Sequence, residues 1–167
     1  MKKKFYIFLD IDGVLWDEPH ILEQSKNDSL YDSLGKNAFK KESMQALNLL
    51  IEGLEQSYSV QLVISSDRRG DMQKTTKVLY DNELKYQNKI DKTPATLSQI
   101  RGFEIKKYLL QKNELKSYVV IDDEIADIKP FVPMEKIIKT SDQSALNLKQ
   151  VKHFLNKHNL LTEELEF

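Results

Sequence analysis

Two carboxylates, Asp10 and Asp12, stand one residue apart where the apolar run Phe5-Tyr6-Ile7-Phe8-Leu9 ends, and Gly13 follows them. Charge at the tip of a buried strand is costly without a partner; it raises carboxylate pKa values and weakens the fold. A hard divalent cation removes the difficulty, and Mg²⁺ typically takes one or two carboxylates together with substrate phosphate oxygens. The chemistry on offer is metal-assisted phosphoryl transfer. An aspartate can attack phosphorus and so divide one hard displacement into two easier ones. Asp10, aimed by the strand end, is the expected nucleophile. Asp12 would protonate the leaving oxygen and then activate water, for a contribution of roughly 10²–10⁴-fold. It shares a face with Asp10 if the extended backbone continues, since residues i and i+2 point the same way. Gly13 lets the chain turn beside a ligand without Cβ interference.

Two further strand ends carry matching parts. Val60 to Ile64 runs into Ser65-Ser66-Asp67-Arg68-Arg69, and Ser117 to Ile121 runs into Asp122-Asp123-Glu124, with Asp127 close behind. Either serine hydroxyl could donate to a phosphate oxygen. Arg68, Arg69 or Arg101 could grip phosphate through a planar fork that lysine lacks. Asp122 and Asp123 would join Asp10 and Asp12 as carboxylates for Mg²⁺.

The elements that must position these residues are legible from hydrophobic patterning. The strands are continuous apolar runs, as expected when both faces of a parallel sheet are covered. A weaker strand is expected around Lys136 to Ile138, and Tyr86 to Ile90 reads as an edge strand. Between them lie helical stripes: Phe39, Ala46, Leu47, Leu50 and Leu54; Met72 to Leu84 with Val78 and Leu79 inward; Ile105, Tyr108 and Leu109; and Leu148, Val151, Phe154 and Leu155. Alternating strands and helices predict an α/β, doubly wound (Rossmann-like) parallel sheet of about five strands, whose ligands bind beyond the carboxyl ends of the strands. Residues 17–38 show no clear periodicity and are expected to form a long loop. The whole segment 17–58 reads as a short loop-plus-helix insertion within a single domain of residues 1–167.

FLDIDGVLW at 8–16, VISSD at 63–67 and VVIDDEIAD at 119–127 resemble, in the right order, motifs of the haloacid dehalogenase (HAD) superfamily of phosphatases. SSDRR, RGFEI at 101–105 and DDEIAD are similar, more narrowly, to the HAD phosphatase domains of RNA-repair and polynucleotide kinase-phosphatase proteins. The resemblance implies Asp10 as nucleophile, Asp12 as acid and base, Ser65 as phosphate-binding hydroxyl, and Asp122 and Asp123 as metal ligands. It adds the Asp12 carbonyl as a Mg²⁺ ligand and gives Asp127 an orienting role. The superfamily usually supplies a lysine ahead of the last motif; here Arg101 stands at the matching distance, with Lys106 and Lys107 a turn or more beyond. A short insertion implies a minimal or absent cap, as in members that accept bulky substrates.

Composition limits the alternatives. With no cysteine among 167 residues there is no thiolate ligand or nucleophile, which suits a cytoplasmic protein. Lys2-Lys3-Lys4 precedes an apolar run too short for a signal peptide, and no stretch reaches the length of a membrane span. Net charge is −1, yet 85–116 carries eight Lys/Arg against three acids. That stretch is either a solvated helix surface or a basic wall drawing a phosphorylated small molecule or nucleic-acid end to the site. Together with the short insertion it points to nucleotide or polynucleotide 3′-phosphates. A phosphotransferase would use the same aspartate pair but needs a cap that shuts out water. A non-catalytic anion- or protein-binding module has no reason to keep so many carboxylates together. Trp16 reads as a hydrophobic plug, Tyr108 as core, and His20, His153 and His158 show no ligand spacing.

Overall fold

A computed structural model describes residues 1–27, 32, 34–114 and 116–160. Five strands, β1 (Lys4–Leu9), β2 (Ser59–Ile64), β3 (Asp91–Lys92), β4 (Tyr118–Asp122) and β5 (Ile137–Lys139), form one parallel sheet in the order β3-β2-β1-β4-β5. The helices are α1 (Glu18–Asn27), α2 (Lys41–Glu55), α3 (Met72–Asp81), α4 (Arg101–Gln111) and α5 (Leu148–Lys157). This is the doubly wound α/β sheet predicted from the alternation of apolar runs.

Side chains leave β1 alternately. Phe5, Ile7 and Leu9 enter one core with Leu62, Ile64, Val119 and Ile121, covered by Leu47 and Leu50 of α2, Val78 and Leu79 of α3, and Val151 and Leu155 of α5. Tyr6 and Phe8 enter the other with Val63 and Val120, covered by Ile105, Tyr108 and Leu109 of α4. Burying one such side chain contributes about 1.5–3 kcal/mol. A strand anchored on both faces in this way tolerates the charge at its tip.

Two expectations are corrected. Residues 18–27 are helical, not loop, although 28–31 and 33 of the expected loop lie outside the described residues. Helix α1 buries none of its residues, so it imposes no apolar period on the sequence. Asp17 starts it: its carboxylate accepts from the His20 amide at 3.0 Å, from Lys40 Nζ at 2.8 Å and from the Ala145 amide at 3.1 Å. Burial alone would raise the Asp17 pKa, but the lysine and the two amides hold it below the usual range. The second correction concerns the edge strand, which is Asp91–Lys92 rather than 86–90. Tyr86 and Ile90 are buried, but Tyr86 meets β2 through its side chain: the hydroxyl donates to the Val60 carbonyl at 3.1 Å and accepts from the Leu62 amide at 3.3 Å. An apolar run therefore enters the core without pairing as a strand.

Candidate active site

The carboxyl ends of β1, β2 and β4 lie side by side, because Leu9 pairs with both Ile64 and Ile121. The residue after each pair is chemical. Asp10 is held by its amide to the Ile121 carbonyl (3.0 Å), Ser65 by its amide to the Leu9 carbonyl (2.9 Å). Asp122 ends β4. Sequence positions 10, 65 and 122 thus converge through sheet register alone.

Asp10 and Asp122 are buried, Asp123 half-buried, and carboxylate oxygens of all three lie within 4.8 Å of one another. Burial first, and then Asp122, push the Asp10 carboxyl up to about 8. Asp122 is raised to about 6 by burial, against the opposing pull of Arg101. Among the described residues, Arg101 is the cation that pairs with both, its Nη1 2.9 Å from Asp122 Oδ2 and 3.3 Å from Asp10 Oδ1; Nη2 lies 3.7 Å from Asp67. Burial alone would lower its pKa; Asp122 and Asp10 outweigh that and raise it, so it stays charged. One guanidinium between three carboxylates leaves negative charge over. An all-oxygen, hard, under-neutralised donor set suits a divalent cation of the Mg²⁺ kind, and Asp10, Asp122 and Asp123 could hold it.

Gly13 is built for this arrangement. Its φ is +73°, and a Cβ there would fall 2.2 Å from Asp123 Oδ2. Any side chain would both strain the turn and displace a carboxylate of the cluster.

Asp12 lies elsewhere. The extended backbone stops at Ile11, whose carbonyl accepts from the Val14 and Leu15 amides (3.2 and 2.9 Å), so the i, i+2 argument does not apply. Its half-exposed carboxylate accepts from Arg68 Nη2 at 2.7 Å, from Arg68 Nε at 3.1 and 3.3 Å, and from Trp16 Nε1 at 2.9 Å. Trp16 packs its ring on the core, as a plug would, but also spends its N–H here. The two serines separate as well. Ser66 Oγ accepts from the Arg68 amide at 3.3 Å and caps the short turn Asp67–Gly70. Ser65 Oγ is buried with no hydrogen-bond partner among the described residues, an orphan of the kind that calls for a ligand.

Arg69 turns away from the carboxylates and pairs with Glu104 at 2.8 Å. Glu104, almost fully buried, also accepts from the Thr96 amide (2.8 Å) and hydroxyl (3.1 Å). Asp127 accepts from the Arg101 amide at 2.8 Å, satisfying one of the open N–H groups at the start of α4. Gly102 lets that helix start press on the neighbouring loop, where a Cβ would meet the Asp127 carbonyl at 2.6 Å. Asp127, Gly102 and the Arg69–Glu104 pair together fix where Arg101 reaches. Glu104 and Thr96 were invisible in sequence, because a buried acid inside a helix reads as surface charge.

A cleft of about 540 Å³ opens at Arg101, lined also by Asp67, Thr96, Gln99 and Glu124 among others. A larger groove of about 800 Å³, along Met44, Leu49, Leu84 and Leu148, holds none of the chemical residues. The basic stretch is dispersed. Lys85 lines that distant groove, Lys112 sits 3.9 Å from Asp91, and Lys92 donates to the Arg69 carbonyl (3.5 Å).

An all-parallel sheet with Asp10 at the tip of its central strand and Asp122 at the tip of the next is an arrangement of the HAD type. The chain belongs to the family described as the HAD domain in Swiss Army Knife RNA repair proteins, whose sequence profile matches residues 6–151. Comparison with curated proteins gave no match, and comparison with solved structures gave none either.

Proposed function

We propose that this HAD domain is a Mg²⁺-dependent phosphomonoesterase working through an aspartyl-phosphate on Asp10, with nucleotide or polynucleotide 3′-phosphate ends as substrates. The observation that carries the reading is Asp10 itself: a buried carboxylate at a strand tip, beside Asp122 and Arg101, two residues before a second carboxylate. The family description, which names RNA repair, supports the choice of substrate. Helix α1, which buries nothing, suits a minimal cap and an open approach for a bulky end.

The chain's own groups divide the work. An Asp10 oxygen forms a bond to phosphorus as the bond to the leaving oxygen breaks, and Asp12 delivers a proton to that oxygen. Water then attacks the aspartyl-phosphate, Asp12 takes its proton, and Asp10 departs with the bonding electrons as phosphate is released. The Ser65 hydroxyl donates to a phosphate oxygen. Arg101 balances the charge of nucleophile and phosphate, the role the superfamily gives to a lysine. Mg²⁺ held by Asp10, Asp122 and Asp123 would neutralise charge on the transferring group.

The test is phosphate release from p-nitrophenyl phosphate and from a 3′-phosphorylated oligonucleotide, each with Mg²⁺ and with EDTA, for the wild type and Asp10→Asn. Release that needs the metal and disappears in Asp10→Asn is the expected result. Normal release by Asp10→Asn removes the aspartyl-phosphate. Release from the aryl ester alone removes the nucleic-acid end and leaves a phosphatase of small esters.

A further inference from the structure

We propose that Trp16 is a positioning residue for Asp12, fixing the rotation of its carboxyl group so that Oδ2 faces the leaving oxygen. The inference rests on the acid–base role given to Asp12 above and adds what aims it. The two oxygens of Asp12 are unequally engaged. Oδ1 accepts three hydrogen bonds, from Trp16 Nε1 at 2.9 Å, Arg68 Nη2 at 2.7 Å and Arg68 Nε at 3.1 Å. Oδ2 accepts one, from Arg68 Nε at 3.3 Å. An oxygen with three donors has no room for a further proton partner, and an oxygen with one long contact does.

Arg68 Nε is shared between the two oxygens, at 3.1 and 3.3 Å. Trp16 adds a donor to one of them. Its indole is packed on the core and its N–H reaches Oδ1 only. The turn over residues 12–15, with Gly13 at a φ of +73°, brings the Trp16 N–H back to Asp12. A side chain with a single donor and a ring locked by packing is suited to orienting a partner, and small errors in aim are costly in proton transfer.

The experiment compares kcat/KM, which reports the first chemical step, on two esters that differ in their need for a proton. p-Nitrophenolate leaves without one; the alkoxide of a nucleoside 3′-phosphate does not. Trp16→Phe keeps a packing ring and removes the donor. It should lower kcat/KM on the nucleoside 3′-phosphate about 10-fold and on p-nitrophenyl phosphate less than about 2-fold, with Asp12→Asn giving the same pattern more strongly. In the Asp12→Asn background, Trp16→Phe should add nothing further. Equal losses on both esters, or no loss on either, overturn the positioning role. If Asp12→Asn itself does not discriminate between the esters, the acid role fails, and the proposal with it. A wild type that hydrolyses neither ester overturns the phosphatase reading as a whole.

A second readout is independent of turnover and of whether Trp16→Phe folds. Trp16 is the sole tryptophan of the chain, so the ¹⁵N-labelled protein gives one indole N–H signal. Asp12→Ala should move that signal upfield. An unmoved signal means that the contact with Asp12 is absent in solution and overturns the proposal.

Discussion

At the scale of single residues the site is an electrostatic compromise. Asp10 and Asp122 are both buried and share Arg101, and the Asp10 carboxyl is pushed up to about 8 by burial and then by Asp122. A carboxyl raised in the fold from 3.8 binds protons more tightly there than in the unfolded chain. Its stabilising effect is complete below pH 3.8 and is lost as pH rises towards about 8. Asp10→Asn removes that loss, so in EDTA its melting temperature should exceed the wild type's by a wider margin at pH 8.5 than at pH 4.5. A margin independent of pH would mean that Asp10 is not strained by its neighbours. The convergence of Asp10, Ser65 and Asp122 was legible in the sequence because apolar runs mark strand ends and strand register brings the following residues together. Asp12 leaves the strand line at the turn, and Arg101 comes from the start of α4, so register reaches neither. Trp16 was read for its ring alone, since a donor's target depends on how the turn after Leu9 folds. That turn closes at Ile11, where the sequence reading extended the strand.

The elements owe their placement to polar contacts that periodicity does not reveal. Helix α4 is set by the Asp127 carboxylate at its start and by the buried Arg69–Glu104 pair. Removing one partner of such a pair leaves a buried charge uncompensated, typically at 3–5 kcal/mol. Arg69→Met should therefore lower the unfolding free energy in urea by about 3 kcal/mol. Arg69→Met combined with Glu104→Leu should recover much of that loss. If the double variant is no better than the single, the pair matters through hydrogen bonding to Thr96 and not through charge. Sequence patterning found α2, α3, α4 and α5, whose apolar stripes face a core. It missed α1, which has no stripe, and it put the edge strand at 86–90, where Tyr86 bonds to β2 through its hydroxyl instead of its backbone.

For the molecule as a whole, a cation held by the carboxylate cluster would couple binding to stability. A ligand that binds the folded state alone raises stability by RT ln(1 + [L]/Kd), about 2.7 kcal/mol at a hundred times Kd. Millimolar Mg²⁺ should raise the melting temperature of the wild type at pH 7.5 and have little effect on Asp122→Asn. An equal rise in both would move the metal away from these carboxylates. Among the described residues no helix is long and apolar enough to cross a membrane. Because the basic stretch is dispersed, Lys106→Glu with Lys107→Glu tests whether its charge matters to a polymer. A nucleic-acid substrate in contact with α4 should lose kcat/KM several-fold, while p-nitrophenyl phosphate loses little. Equal effects would confine recognition to the phosphate and its nearest sugar.

The position of β1 between β2 and β4 has a consequence for synthesis on the ribosome. Its first neighbour, Ser59–Ile64, emerges early, but its second, Tyr118–Asp122, follows more than fifty residues later. At about 5–20 residues per second that interval lasts on the order of several seconds. During it, the edge of β1 that pairs with β4 is open, and the face bearing Tyr6 and Phe8 is bare until α4 follows. A nascent chain of this topology offers a target for chaperones over that window, and only when β4 docks do Asp10 and Asp122 first meet.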